Sequence, residues 1–267
     1  MKNILLLCHD DGGQAARVEA AVALAYLVGG RLTCLDIIVA APPSLHEALG
    51  PVAVDLLEAI AVSTERSNRE RLTARFEREA IAAEWIDTAV GLGASLVDAA
   101  AKADVIVVNR ELHEYPLHDM ATIIGDIVVG SQTPVLAVPS EPSPLAFRRA
   151  LIAWDGSPAS FAALHAALPL LGLADRVTLL EVSDRGVVVP AEEARAYLAS
   201  HQIEPSILRL DAGPAGSAAV IAAHAASGRF DYLVMGGFGH RSFMERRFGG
   251  VTRSLLAQSP VPLFMAH

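Results

Sequence analysis

The chain has 267 residues, of which 52% are hydrophobic and 19% charged, and a formal net charge of -9. That length suits two domains of ordinary size, and the apolar bias suits parallel sheets buried on both faces and argues against disorder. The acidic balance argues against generic binding to nucleic acid or to an anionic membrane.

Ile4 to Cys8 reads as a first strand and is too short for a signal-peptide core. No apolar run approaches the roughly 20 residues needed to cross a bilayer, so a cytoplasmic location is expected. A helical stretch over 14–28 follows, then a β-rich run from Arg31 to Ile38. Cys8 and Cys34 both fall in strand-like runs without metal-ligand spacing, so they read as buried small hydrophobes and imply no disulfide framework. A long helical segment is predicted from about Val52 to Ala83, with the charges between Glu65 and Glu79 read as a solvated face. Two further strand-like runs, Val105 to Val108 and Val135 to Pro139, close the first half.

The second half repeats the first. One constant shift lays Leu6 on Leu151, Asp10 on Asp155, Arg31 on Arg176 and Leu35 on Leu180; near the ends, Asp104 falls on Asp231 and Pro134 on Pro262. Between the copies, Pro139, Pro142 and Pro144 mark a short semi-rigid linker, which puts the domains at 1–143 and 144–267. Alternating strands and helical spacers predict right-handed βαβ units and a doubly wound parallel sheet in each half. Ligands of such sheets bind beyond the carboxyl ends of the strands where the winding reverses, after the first and fourth strands of each half.

After the second half's fourth strand comes Gly236-Gly237-Phe238-Gly239, then Gly249-Gly250-Val251-Thr252 at the start of a helix. Bare amides on glycine-rich backbone, next to the unpaired donors of a helix N-terminus, suit phosphate. A tight turn is the plainer reading of glycines alone. Asp155 ends the neighbouring strand, where it fits either a ribose or adenine contact or a cap on the next helix.

The spacing Gly236-x2-Gly239-x9-Gly249, paired with Asp155 and with the closing run Ser259 to Met265, resembles the nucleotide-binding pattern of the universal stress protein family in its tandem form. The resemblance implies two five-stranded domains with strand order 3-2-1-4-5 and the adenine nucleotide alpha hydrolase-like fold. It implies an ATP, ADP or AMP site, with or without Mg, in which Ala153, Asp155 and Val182 line the adenosine side. Met235, Gly236, Gly239, Gly249, Gly250, Val251 and Thr252 would hold ribose and phosphates. It also implies pairing of the two halves through their last strands as an internal pseudo-dimer, and leaves room for a homodimer. Gly250 departs from the family pattern, which has Ser or Thr there; the loss of one hydroxyl weakens binding without abolishing it.

The first half lacks the glycines. Asn109 stands at the position of Gly236, Arg110 to Tyr115 holds no glycine, and Ala121-Thr122 stands at the position of Gly249-Gly250, so no triphosphate site is expected there. Asp10 persists and is expected as a helix cap. His113 and His118, with Cys8 and His9, form a poor candidate metal site, and His240 and Arg241 read as surface residues. There is no Walker lysine motif and no G-x-S-x-G elbow, so the expectation is a nucleotide-binding regulatory protein and not an enzyme, with slow ATP hydrolysis or phosphotransfer, or a ligand-free scaffold, as alternatives.

Overall fold

A computed structural model describes residues 1–37, 47, 49–88, 92–111, 120–183, 187–238 and 250–267. The first half runs β1 (Asn3–Cys8), α1 (Gln14–Val28), β2 (Arg31–Ile37), α2 (Pro51–Arg78), β3 (Ala83–Thr88), α3 (Leu92–Ala100), β4 (Val105–Asn109), α4 (Met120–Ser131) and β5 (Val135–Val138). The second runs β6 (Arg149–Trp154), α5 (Pro158–Leu171), β7 (Arg176–Ser183), α6 (Ala191–Ser200), β8 (Ser206–Asp211), α7 (Gly216–Ala225), β9 (Tyr232–Gly236), α8 (Gly250–Gln258) and β10 (Leu263–Ala266).

The strands form one sheet in the order β3-β2-β1-β4-β5-β10-β9-β6-β7-β8. Each half thus has the order 3-2-1-4-5, and every neighbouring pair is parallel except β5 and β10, which run antiparallel with Leu136 opposite Phe264. The two short closing strands, whose open edges would otherwise invite foreign pairing, satisfy one another at the centre of the sheet. Its outer edges are β3 and β8.

The uninterrupted apolar runs of β1 and β4 are buried because helices cover both faces. On one face α1, the C-terminal part of α2, α5 and α6 pack Leu24, Phe76, Leu164 and Leu198 against the sheet; on the other, α3, α4, α7 and α8 pack Leu96, Ile127, Ile221 and Leu255. Each layer crosses the seam, since Leu136 and Phe264 lie in the same apolar cluster. The prolines therefore divide the repeats in sequence, while the core continues from one copy into the next. Arg110 adds a polar tie, its guanidinium donating to the Leu256 carbonyl near the end of α8.

Two expectations about the long helix need correction. It ends at Arg78 and not near Ala83, because Ala80 takes a left-handed φ of 52° that breaks the helical path, and Ala83 already opens β3. Its charged stretch is only partly solvated, since Glu65 and Asn68 are 4% and 1% exposed and point at the end of β1, on the side of the helix that carries Leu72 and Phe76.

Candidate functional site

In the second half, β6, β7 and β9 lie side by side, with Ala153 opposite both Leu180 and Met235 in the parallel registers. Side chains alternate between faces, so Ala153 points toward the face that carries Val182, Met235 and Val251, and Asp155 follows directly after the end of β6. Met235 is 4% exposed and Thr252 6%, whereas Ala153, Val182 and Val251 are half-buried and Gly250 is open to solvent. Ala153, Asp155, Val182 and Met235 thus converge on the carboxyl edge of three adjacent strands, and α8, whose first turn holds Gly250, Val251 and Thr252, packs on that same face. Gly239 and Gly249 lie outside the described residues, so the loop between β9 and α8 is represented only by its two ends.

Those ends explain two glycines differently. A Cβ on Gly236 would stand 2.6 Å from the Ala159 carbonyl carbon and the Ser160 nitrogen, so packing of α5 against the strand end demands glycine whether or not a ligand lies above it. A Cβ on Gly250 would meet nothing within 4 Å among the described residues. Beyond Gly236 the chain is pinned: the Gly237 amide donates to the Ala266 carbonyl at 2.9 Å, the His267 ring donates to the Gly237 carbonyl at 2.9 Å, and Phe238 takes a left-handed φ of 59°. The first turn of α8 holds no acidic residue, so none of its own side chains offsets the partial positive charge of its amides.

Asp155 is exposed, and its Oδ1 accepts from the Ser157 amide at 2.9 Å in a tight Asx turn. The helix cap is Ser157, whose hydroxyl accepts from the Ser160 amide at 3.2 Å. Asp155 therefore shapes the turn and is not the cap. Gly156 takes a φ of 71°, and a Cβ there would lie 2.2 Å from the Val189 nitrogen, so the segment after β7 crosses directly over this turn. Trp154 anchors that crossing by donating its ring N–H to the Val189 carbonyl at 2.8 Å.

At the equivalent place in the first half stands Arg17. It is fully buried: Nε donates to the Leu7 carbonyl at 3.1 Å, Nη2 to the His9 carbonyl at 2.8 Å, Nη1 to Asp11 Oδ1 at 3.0 Å and also to Asn109, and Nη2 lies 2.9 Å from Asp11 Oδ2 as an ion pair. Asn109 in turn donates to the Pro139 carbonyl at 3.2 Å. Beside this group, Gln14 and Asn68 exchange hydrogen bonds at 2.8 Å, and His9 Nδ1 lies 2.5 Å from Glu65. Burial pushes the His9 imidazolium down, but the Glu65 carboxylate outweighs it and the net shift is upward. Asp10 is no helix cap, since α1 enters at Gly13 without a side-chain cap; the carboxylate pairs with Arg71 at 2.9 Å and accepts from Gln14 at 3.2 Å.

Sequence reasoning did not find Arg17, Glu65 or Asn68. The available signal was a lone cation one turn into a helix of small residues, where the repeat has Ala162. His113, His118, His240 and Arg241 lie outside the described residues. Among the described residues no group of three His, Cys, Asp or Glu side chains is placed to hold a metal. Cys8 and Cys34 are buried and free, and burial, with Cys34 beside it, holds the Cys8 thiol well above its ordinary range. No helix among the described residues is long and apolar enough to cross a membrane. A cleft of about 350 Å³ lined by Arg176, Ser206 and Phe230 lies at the opposite, amino end of the strands, away from this site.

No protein-family model matches the sequence, and no curated protein matches it. Solved structures do. A universal stress protein from Archaeoglobus fulgidus DSM 4304 superposes with a TM-score of 0.75 at 18% identity, over 99% of this chain and 97% of that one. A putative universal stress protein from Pseudomonas aeruginosa UCBPP-PA14 gives 0.61 at 15% identity, over 100% and 93%. A functionally unknown protein from Pseudomonas aeruginosa PAO1 gives 0.63 at 14% identity, over 100% and 92%. Strand order, the parallel pairing within each half and these superpositions agree: over its whole length the chain has the α/β, adenine nucleotide alpha hydrolase-like fold of universal stress proteins.

Proposed function

We propose that this chain is a cytoplasmic stress-response protein whose second half binds an adenine nucleotide, ATP, ADP or AMP with or without Mg, and whose first half binds no triphosphate. The observation that carries the reading is the contrast at the strand ends. Where Arg17, Asn109 and Asp11 fill the first half with a buried ion pair, the second half offers a glycine-flanked loop, a helix N-terminus and the exposed Asp155 carboxylate, whose Oδ2 bonds to nothing among the described residues. Ala153, Asp155 and Val182 take the adenosine side. Met235, Gly236, Gly239, Gly249, Gly250, Val251 and Thr252 surround ribose and phosphates, with main-chain amides as the principal donors. The role is sensing or storage and not turnover, because no lysine of a Walker motif is present to stabilise a transferring phosphoryl group. The two repeats, 1–143 and 144–267, act in this reading as an internal pseudo-dimer, which the antiparallel seam of β5 and β10 supports.

Titration calorimetry of the full chain with ATP and AMP tests the site. Asp155→Ala is the informative variant, because the side chain is exposed and its loss disturbs only a turn; a hydrogen bond from ligand to carboxylate is worth ~1.5–3 kcal/mol, so affinity should fall about tenfold or more. Equal affinities for the two proteins would remove Asp155 from the site, and no heat with either nucleotide would leave a ligand-free scaffold. Phosphate release beyond one turnover per site, abolished in the variant, would make the cleft a slow hydrolase.

A further inference from the structure

At the amino ends of β7, β8 and β9, a cleft of about 350 Å³ lies beside Leu208 and Phe230, which belong to the apolar cluster that packs under α7. Thr178 and Phe230 are buried in its lining and Leu208 is half-buried, while Arg176, Ser206 and Arg229 stand exposed around them. The Thr178 and Ser206 hydroxyls lie 3.1 Å apart. A few polar groups converging over apolar ones, around a hollow of this size, is the make-up of a small-molecule site.

The repeat shows what is particular about this cleft. Arg31 and Thr33 of the first half correspond to Arg176 and Thr178, and there the groups are engaged within the chain: Arg31 Nε donates to Asn3 at 2.8 Å and the Thr33 hydroxyl to Glu84 at 3.0 Å. In the second half both acceptors are replaced in register. Arg149 stands opposite Arg176 where Asn3 stands opposite Arg31, and Ser206 stands opposite Thr178 where Glu84 stands opposite Thr33. At the shift that lays Asp104 on Asp231, Lys102-Ala103 becomes Arg229-Phe230, which adds an aromatic ring. The acids closest in sequence are committed elsewhere: Asp175 pairs with Arg148 at 3.2 Å, and Asp231 takes the Arg149 guanidinium at 2.6 Å and the Arg148 and Arg149 amides. Glu204 does not line the cleft. Arg176 and Arg229 therefore make no ion pair among the described residues, in a chain whose net charge is -9. Cations gathered on a cleft with apolar walls concentrate an anion there, and the planar fork of a guanidinium matches carboxylate or phosphate.

We propose that this cleft binds a small organic anion, its carboxylate or phosphate held by Arg176 and Arg229 and its apolar group lying against Leu208 and Phe230. The site is at the other end of the strands from the one assigned to an adenine nucleotide, and it does not rest on that assignment.

Ligand-observed NMR and calorimetry of the full chain with benzoate, phenyl phosphate, benzamide and inorganic phosphate test it. The expected result is that both aryl anions bind while neutral benzamide and inorganic phosphate bind several-fold more weakly; the stronger of the two aryl anions identifies the preferred oxyanion. Arg176→Gln and Arg229→Gln should each weaken aryl-anion binding about two- to fivefold. Ser206→Glu, which restores the carboxylate that the first half has at this place, should weaken it more than either. All three side chains are exposed, so thermal midpoints should be kept. Arg31→Gln and Asp155→Ala should leave the affinity unchanged. The proposal is overturned if neither aryl anion binds, if benzamide matches benzoate, if inorganic phosphate matches phenyl phosphate, or if the affinity ignores Ser206→Glu and both glutamines. Loss of aryl-anion binding in Asp155→Ala would overturn it too, by moving the ligand to the nucleotide site.

Discussion

At the end of β4 the first half carries Asn109, and the helix facing it is entered through Gly13; at the end of β9 the second half carries Gly236, and the helix facing it opens with Ala159 and Ser160. A Cβ on Gly13 would lie 2.6 Å from Asn109 Oδ1, just as one on Gly236 would lie 2.6 Å from the Ala159 and Ser160 backbone. The same close approach of strand and helix is therefore made twice, with the small residue on opposite sides. Where the strand end keeps a side chain, it accepts from Arg17 and the cleft closes around a buried ion pair. Where the strand end is bare, the helix facing it keeps ordinary residues, Ala159 and Ser160, against the strand. One choice of glycine thus accompanies two fates for one cleft.

The comparison is most easily broken at Arg17. Arg17→Met keeps bulk but leaves Asp11 buried without a cation, which should cost ~3–5 kcal/mol and lower the thermal midpoint by roughly 10 °C or more, followed by circular dichroism. Nucleotide affinity in the second half should be unchanged; a parallel loss would show that the two clefts are coupled through the shared core.

Exchanging the strand-end residues sharpens it. Gly236→Asn forces a Cβ into the α5 backbone and should cost ~1–3 kcal/mol in urea unfolding. Asn109→Gly leaves Arg17 short of an acceptor and should cost ~1–3 kcal/mol. A Gly236 variant that unfolds at the wild-type urea concentration would show that the glycine is not needed for packing.

Gly250→Ser gives the second half a hydroxyl at the start of α8, in space that is open among the described residues. One added hydrogen bond of ~0.5–1.5 kcal/mol should tighten ATP binding about twofold to tenfold by calorimetry, with no change in stability. An unchanged affinity would place the phosphates elsewhere.

The smallest effect is one of pH and belongs to the first half. Burial, with Glu65 close by, pushes the Asp36 carboxyl up from 3.8 to about 6, and its Oδ1 has no hydrogen-bond partner. The folded chain therefore holds a proton that the unfolded chain releases, and Asp36 lowers stability progressively as pH rises through that window. Asp36→Asn should raise the thermal midpoint by about a few degrees at pH 7 and leave it unchanged near pH 4. His9 acts in a higher window: its pairing with Glu65 contributes fully below the ordinary value of 6.5 and is lost as pH rises through the raised folded value.

Much of this was legible in residue order because it depends on local pattern. α1 covers the predicted stretch 14–28, β5 and β10 follow Pro134 and Pro262, and the repeat of Leu6 at Leu151 announced a second copy of the same sheet. The end of α2 was not legible, because Ala80 adopts a left-handed turn that its residue type does not advertise. Nor was the dual meaning of Gly236, since a glycine needed for close packing and one left bare for a ligand look alike in sequence.

Apolar periodicity, the placement of prolines and the internal repeat were enough to determine two doubly wound parallel units and the strand ends at which a ligand would sit, because burial of alternating and continuous apolar runs is a local requirement. The pairing of β5 with β10 was implied only by the family resemblance, and the tertiary structure decided that it is antiparallel and that both apolar cores run across it. The tertiary structure also decided that Arg17, Glu65 and Asn68 occupy one cleft while at the other the strand end Gly236 packs directly on the α5 backbone. Those outcomes depend on which distant side chains are brought within hydrogen-bonding distance, and a charge far from its partner in sequence carries no sign of whether it will be buried against it or left in water.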